Sequence, residues 1–265
     1  MAPLKLKLAA NISMMFTEVG TLLERYGAAK CAGFSAVECA FPYDFSAEDV
    51  GRALETAGVE QVLINSPPGN LDVGELGLAA LPGREKEFLQ SLDLSVKYAK
   101  ILKCSRIHIM AGKSTNESST CDETYMKNLR LAVPVLENAG ITGLIEPINP
   151  WTIPKYHLSS YDHAVKILRG IDSSALKLQL DVFHLQLISG NITRTITDLL
   201  PMIGHIQIAQ APHRGEPDTP GEIDYSYMFK LLEDLGYDGW IGCEYIPSHA
   251  STKDGLAWMR SYSLM

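Results

Sequence analysis

The sequence has no continuous apolar run of membrane-spanning length, so no transmembrane helix is expected. It also has no Lys/Arg run, and 23 basic against 31 acidic side chains leave a formal net charge of −8. A nucleic-acid backbone is therefore a poor general partner. The five cysteines, Cys31, Cys39, Cys104, Cys121 and Cys243, contain no C-x-x-C pair. A dispersed, odd set reads as reduced thiols in the cytoplasm, not as a disulfide framework. No Gly-rich dinucleotide turn follows the first strand-like segment. Gly112-Lys113-Ser114 is not a phosphate-binding loop either, because the glycine required five residues earlier is Ile107. Met1–Ala10 alternates Leu4, Leu6 and Leu8 with Lys5 and Lys7, which reads as a first strand and not as a secretory leader. The Asn-x-Ser/Thr triplets at Asn11, Asn116 and Asn191 then read as chance matches.

What is present is an ordinary globular composition, 46% hydrophobic and 20% charged over 265 residues. That length can bury a substantial core as one α/β domain, residues 1–265. The most informative stretch is Leu176–His184, L-K-L-Q-L-D-V-F-H. Leu176, Leu178, Leu180 and Val182 form one row at period two, and Lys177, Gln179 and Asp181 form the other, so the spacing predicts a strand. Three further strand-like segments, Ile141–Asn149, His205–Ala211 and Gly239–Pro247, each carry a polar residue toward the C-terminal end: Glu146, Gln207 and Glu244. Stretches long enough for a helix separate them.

The same alternation runs through the chain. Strands are predicted at Leu4–Ser13, Ala36–Phe41, Val59–Asn65 and Arg106–Ala111, ahead of the four already named. Helices are predicted at Glu18–Cys31, Ser46–Ala57 with Ser46 as N-cap, Pro82–Leu102, Asp122–Ala139, Ser159–Gly170, Asn191–Leu200, Asp224–Leu235 and from Thr252 onward. Eight strands alternating with eight helical segments fit a (β/α)₈ TIM barrel better than a doubly wound sheet. In a barrel the strand ends share one mouth, where the loops Asn65–Leu81 and Gly112–Cys121 would also lie.

Each polar residue has a plain structural reading beside a functional one. A buried Glu146 could be explained by a salt bridge alone. His108 could be a satisfied core histidine, and Arg214 an ordinary loop arginine. Gly242, two residues before Glu244 on the same face, leaves space below that carboxylate. Taken together, Glu146, Asp181, Gln207 and Glu244 make an oxygen-rich set suited to Mg²⁺ or Mn²⁺. Arg214 could offer a fork to a substrate carboxylate, with His108 as a further substrate contact.

At G-L-I-E-P-I-N, L-D-V-F-H, H-I-Q-I-A-Q-A-P-H-R-G-E-P and G-Y-D-G-W-I-G-C-E-Y the chain resembles the hydroxypyruvate isomerase family of the xylose-isomerase-like barrels. L-I-N-S-P-P-G-N and R-I-H-I-M-A-G match as well. The resemblance implies interconversion of hydroxypyruvate and 2-hydroxy-3-oxopropanoate, with Glu146 and Glu244 as the catalytic pair. It implies metal ligation by Glu146, Asp181 and Glu244, with Gln207 where related ketose epimerases carry a histidine. It further implies His184 and Arg214 at the substrate. The expected partner is a small hydroxy-oxo acid, with a homo-oligomer allowed. The nearest rival is a sugar ketose 3-epimerase or another sugar isomerase on the same barrel. A metal-dependent phosphodiesterase or endonuclease ranks below it, since such sites gather many histidines and only seven occur here. A silent binding barrel ranks lower still, given intact Glu146, Asp181 and Glu244.

Overall fold

The computed structural model describes residues 4–114 and 118–264. Eight strands close into a barrel in chain order: β1 (Lys7–Asn11), β2 (Ala36–Cys39), β3 (Glu60–Asn65), β4 (Arg106–His108), β5 (Thr142–Ile145), β6 (Leu176–Asp181), β7 (Ile203–Ile208) and β8 (Trp240–Cys243). Neighbours such as β4 and β5, or β8 and β1, pair in parallel. Helices α1 (Leu22–Cys31), α2 (Ala47–Ala57), α3 (Glu85–Ile101), α4 (Ser118–Ala139), α5 (Tyr161–Ile171), α6 (Val182–Ile188), α7 (Ile192–Leu199), α8 (Tyr225–Asp234) and α9 (Ala257–Ser261) fill the connections. This is the expected TIM barrel.

Residue contacts group the chain into two compact parts. The first comprises Met1–Glu38, Arg52–Val62 and Leu180–Met265, and the second comprises Cys39–Gly51 and Leu63–Gln179. In the first part β1 pairs with β2 through Ala10↔Val37 and with β8 through Lys7↔Trp240 to Ala10↔Cys243. β8 pairs in turn with β7. In the second part β3, β4, β5 and the start of β6 pair in series. Both rows of β6 are withdrawn from water, with Leu176, Leu178 and Leu180 buried on one and Gln179 and Asp181 on the other. A half-exposed antiparallel strand would not show this, whereas a barrel strand has a helix-facing row and an interior row.

Local signals set several helix starts. The Ser46 hydroxyl accepts from the Asp49 N–H (3.1 Å) ahead of α2, and the Ser160 side chain accepts from the His163 N–H ahead of α5. The strands are shorter than the alternation predicts. The strand expected over Leu176–His184 ends at Asp181, because the Asp181 carboxylate accepts from the Phe183 N–H (2.8 Å) and caps α6. The strand expected to Asn149 ends at Ile145, because Ile148 bonds instead to the carbonyl of Leu158. The loop expected over Gly112–Cys121 is shorter too, α4 beginning at Ser118; its residues 115–117, Asn116 among them, lie outside the described residues. Pro134 sits inside α4, which continues through it. All five cysteines are free thiols, and only Cys31 is exposed. Among the described residues no helix is long and apolar enough to cross a membrane.

Candidate active site

In the first part, β1, β2, β6, β7 and β8 bring polar side chains together at their C-terminal ends. Asp181 is fully buried at the end of β6, and Glu244, just past β8, keeps 16% exposure. Their carboxylates converge on one cationic group. The Arg214 Nη2 lies 2.5 Å from Glu244 Oε2 and 3.5 Å from Asp181 Oδ2. Arg214 also donates through Nε to the Glu244 carbonyl (3.3 Å), and its guanidinium stacks over the Phe183 ring at 5.0 Å. The His184 Nε2, in the first turn of α6, lies 3.6 Å from Asp181 Oδ2.

Beside this set lies a residue not singled out in the sequence, Glu38 of β2. It is fully buried and accepts from Asn11 Nδ2 (2.9 Å) and Gln207 Nε2 (2.7 Å), with His205 Nε2 at 2.6 Å. Asn11 spans the two acids, since the same amide donates to Glu244 Oε1 at 3.2 Å. The space expected beneath Glu244 at Gly242 is taken by Glu38. A Cβ on Gly242 would meet the Glu38 carboxylate oxygens at 2.3 and 2.4 Å. The sign that could have exposed Glu38 is the one that marked Glu146: a lone acid in a short apolar strand, here A-V-E-C.

Burial pushes the Glu244 carboxyl up to about 8; Arg214 opposes the rise, and Asp181 and Glu38 add to it. Burial raises the Asp181 carboxyl as well, against the opposing effects of Arg214 and the Phe183 N–H.

In the second part, Glu146 follows β5 and is buried. Its Oε2 accepts from Gln179 Nε2 (3.0 Å), and His108 Nδ1 of β4 lies 3.4 Å away. His108 is 1% exposed, so in the structure it is a buried neighbour of Glu146. Tyr156 is fully buried, accepts from the Ala111 N–H (2.9 Å), and has its phenol pushed above the ordinary range by burial and then by Glu146.

The donor set suits a hard divalent cation. Asp181 and Glu244 already share the positive charge of Arg214. The fold defines a (β/α)₈ barrel of the TIM type. The chain belongs to the xylose isomerase-like TIM barrel family, whose model matches residues 26–262. It is an isomerase. A hydroxypyruvate isomerase of Escherichia coli (strain K12) is 41% identical over 97% of this chain and 99% of its own length. A 2-oxo-tetronate isomerase of Cupriavidus necator is 42% identical over 97% and 98%. A crystal structure from Brucella melitensis, titled an AP endonuclease, family 2, superimposes with a TM-score of 0.93 at 42% identity, covering 97% of this chain and 98% of that one.

Proposed function

We propose that the chain interconverts hydroxypyruvate and 2-hydroxy-3-oxopropanoate by metal-assisted proton transfer, using Glu146 and Glu244 as the acid–base pair. The observation that carries this reading is that Asp181 and Glu244 converge on one shared positive charge. The His184 Nε2, 3.6 Å from Asp181 Oδ2, supports it. Full-length relatives at 41% and 42% identity with isomerase names support the reaction class.

Glu146, Asp181, Glu244 and the amide oxygen of Gln207 are the residues that would hold Mg²⁺ or Mn²⁺. Gln207 donates through Nε2 to Glu38, so a ligand role falls to its oxygen. When bound, the ion supplies Lewis acidity that polarises the substrate carbonyl and offsets charge on its oxygens. One glutamate removes a proton from C3 of hydroxypyruvate and the other delivers one to C2. The hydroxyl proton moves from the C3 oxygen to the C2 oxygen, and the carbonyl changes places without any redox cofactor. His184 orients the carbonyl end, with His108 behind Glu146. Arg214 holds the substrate carboxylate while screening Asp181 and Glu244. The free thiols support a reducing, cytoplasmic setting.

A second reading keeps the site and changes the substrate to the four-carbon 2-oxo-tetronate, favoured by the Cupriavidus necator relative at 42% identity. The deciding experiment follows short 2-oxo-3-hydroxy acids and uncharged ketoses by NMR, with Mg²⁺ or Mn²⁺, in wild type, Arg214→Ala and Arg214→Lys. Arg214→Ala should lose about 2–5 kcal/mol in kcat/KM on the acids. Arg214→Lys should recover part of this, and any turnover of ketoses should change much less. Equal losses on both substrate types would remove Arg214 as the carboxylate clamp and favour a sugar isomerase.

A further inference from the structure

A second group of metal-philic side chains lies within the second part of the chain, on residues the isomerase site does not use. Asp122 on the first turns of α4, His157 in the loop after β5, and His163 on α5 present one ligand atom each within 4.8 Å of one another. Asp122 Oδ1 is 3.1 Å from His157 Nε2 and 3.2 Å from His163 Nε2. Those separations would suit two hydrogen bonds, yet Asp122 Oδ1 makes none. The His157 side chain is only 3% exposed, and its Nε2 is without a hydrogen-bond partner. A buried imidazole nitrogen left in that condition costs free energy unless something else occupies the space it faces.

We propose that Asp122, His157 and His163 form a Zn²⁺-binding site separate from the isomerase centre. A tetrahedral ion with bonds of about 2.0 Å spaces its ligands by roughly 3.3 Å, close to both measured distances. Two imidazoles and one carboxylate, with a fourth position for water, form an established zinc ligand set. Asp122 and His163 are 42% and 30% exposed, so the fourth position faces solvent. The set is softer than the oxygen-rich one around Asp181 and Glu244, so the two would sort different ions. Burial holds the His157 pKa below its ordinary value, which favours the neutral, ligating ring.

His157 is held in place before any ion arrives. The His157 ring meets Tyr125 and His163 edge-on, at 5.5 and 5.6 Å between centroids. Its backbone N–H donates to the Gly112 carbonyl (2.9 Å), and Ser114 N–H donates to Lys155 (2.9 Å). An ion here would pin the start of α4 to the loop after β5.

The test uses the full chain, stripped with chelator and supplied with saturating Mg²⁺. Zn²⁺ is added, excess is removed by gel filtration, and bound zinc is counted by elemental analysis. Co²⁺ is titrated separately, with its visible absorption as the readout. Wild type should retain one more Zn²⁺ per chain than His163→Ala or Asp122→Asn. It should also show a Co²⁺ band and a Zn²⁺-dependent rise in Tm that both variants lack. Both substitutions fall on partly exposed positions, and circular dichroism checks that each folds. Equal zinc content and equal Tm shifts in wild type and variants would overturn the site, leaving the isomerase reading untouched.

Discussion

At Glu244, burial and two neighbouring acids work against one guanidinium, and their balance decides when its proton leaves. With divalent ions chelated, the folded chain keeps that proton up to about pH 8, whereas the unfolded chain releases it in the ordinary carboxylate range. Between those limits the unfolded state binds fewer protons, so stability falls as pH rises toward 8 and then levels off. Glu244→Gln removes this contribution, and urea unfolding in EDTA at pH 5, 6.5 and 8 should show a shallower decline than in wild type. An equal decline in both would show that Glu244 is not the group that titrates. For catalysis, Glu146→Gln or Glu244→Gln should lower turnover by about 10²–10⁴-fold in a folded, metal-loaded protein. Near-normal turnover in either would remove it from the acid–base pair. Glu146, Asp181, Gln207 and Glu244 stood out in the sequence as candidates because each lies toward the C-terminal end of a strand-like run. Glu38 was not, because its partners His205 and Gln207 lie more than 160 residues away.

Among the elements, β6 and α6 meet at a residue with two duties. Asp181 caps α6 through the Phe183 N–H and turns its other oxygen toward Arg214 and His184. Asparagine caps a helix about as well as aspartate, so Asp181→Asn should keep the Tm near wild type while sharply weakening Mn²⁺ binding, measured by calorimetry. A large Tm loss with Mn²⁺ affinity intact would reverse that assignment. The strand–helix junction itself was hidden, since Val182 extends the apolar row of β6 and the helix start rests on the single Asp181 cap. On β8, Gly242→Ala would drive a methyl into the Glu38 carboxylate and disturb its bonds to Asn11, His205 and Gln207. A cost of about 1–3 kcal/mol is expected, read as a lower urea midpoint. An unchanged midpoint would mean that Glu38 can move aside freely.

For the whole molecule, the alternation of eight strands and helices was enough to specify the barrel, because a closed parallel sheet has few alternatives at this length. Side-chain pairing was not, because it depends on which strands become neighbours. Chelation should abolish or strongly reduce isomerase activity, with Mg²⁺ or Mn²⁺ restoring it. At 100 times its dissociation constant, the restoring ion should add about 2.7 kcal/mol to folding stability. Full turnover in a preparation shown by elemental analysis to be metal-free would favour a purely acid–base mechanism.

The pairing of β1 with β8 has a consequence for synthesis. Lys7 finds its partner at Trp240, so nearly the whole chain must leave the ribosome before the ring can shut. Until then the backbone N–H and C=O groups on that side of β1 have no strand to bond, and the nascent sheet has an open edge. Closing so long a loop costs entropy that local helices never face. The last strand made is therefore the one that seals the first, and a chain arrested before Trp240 would carry that edge unsealed.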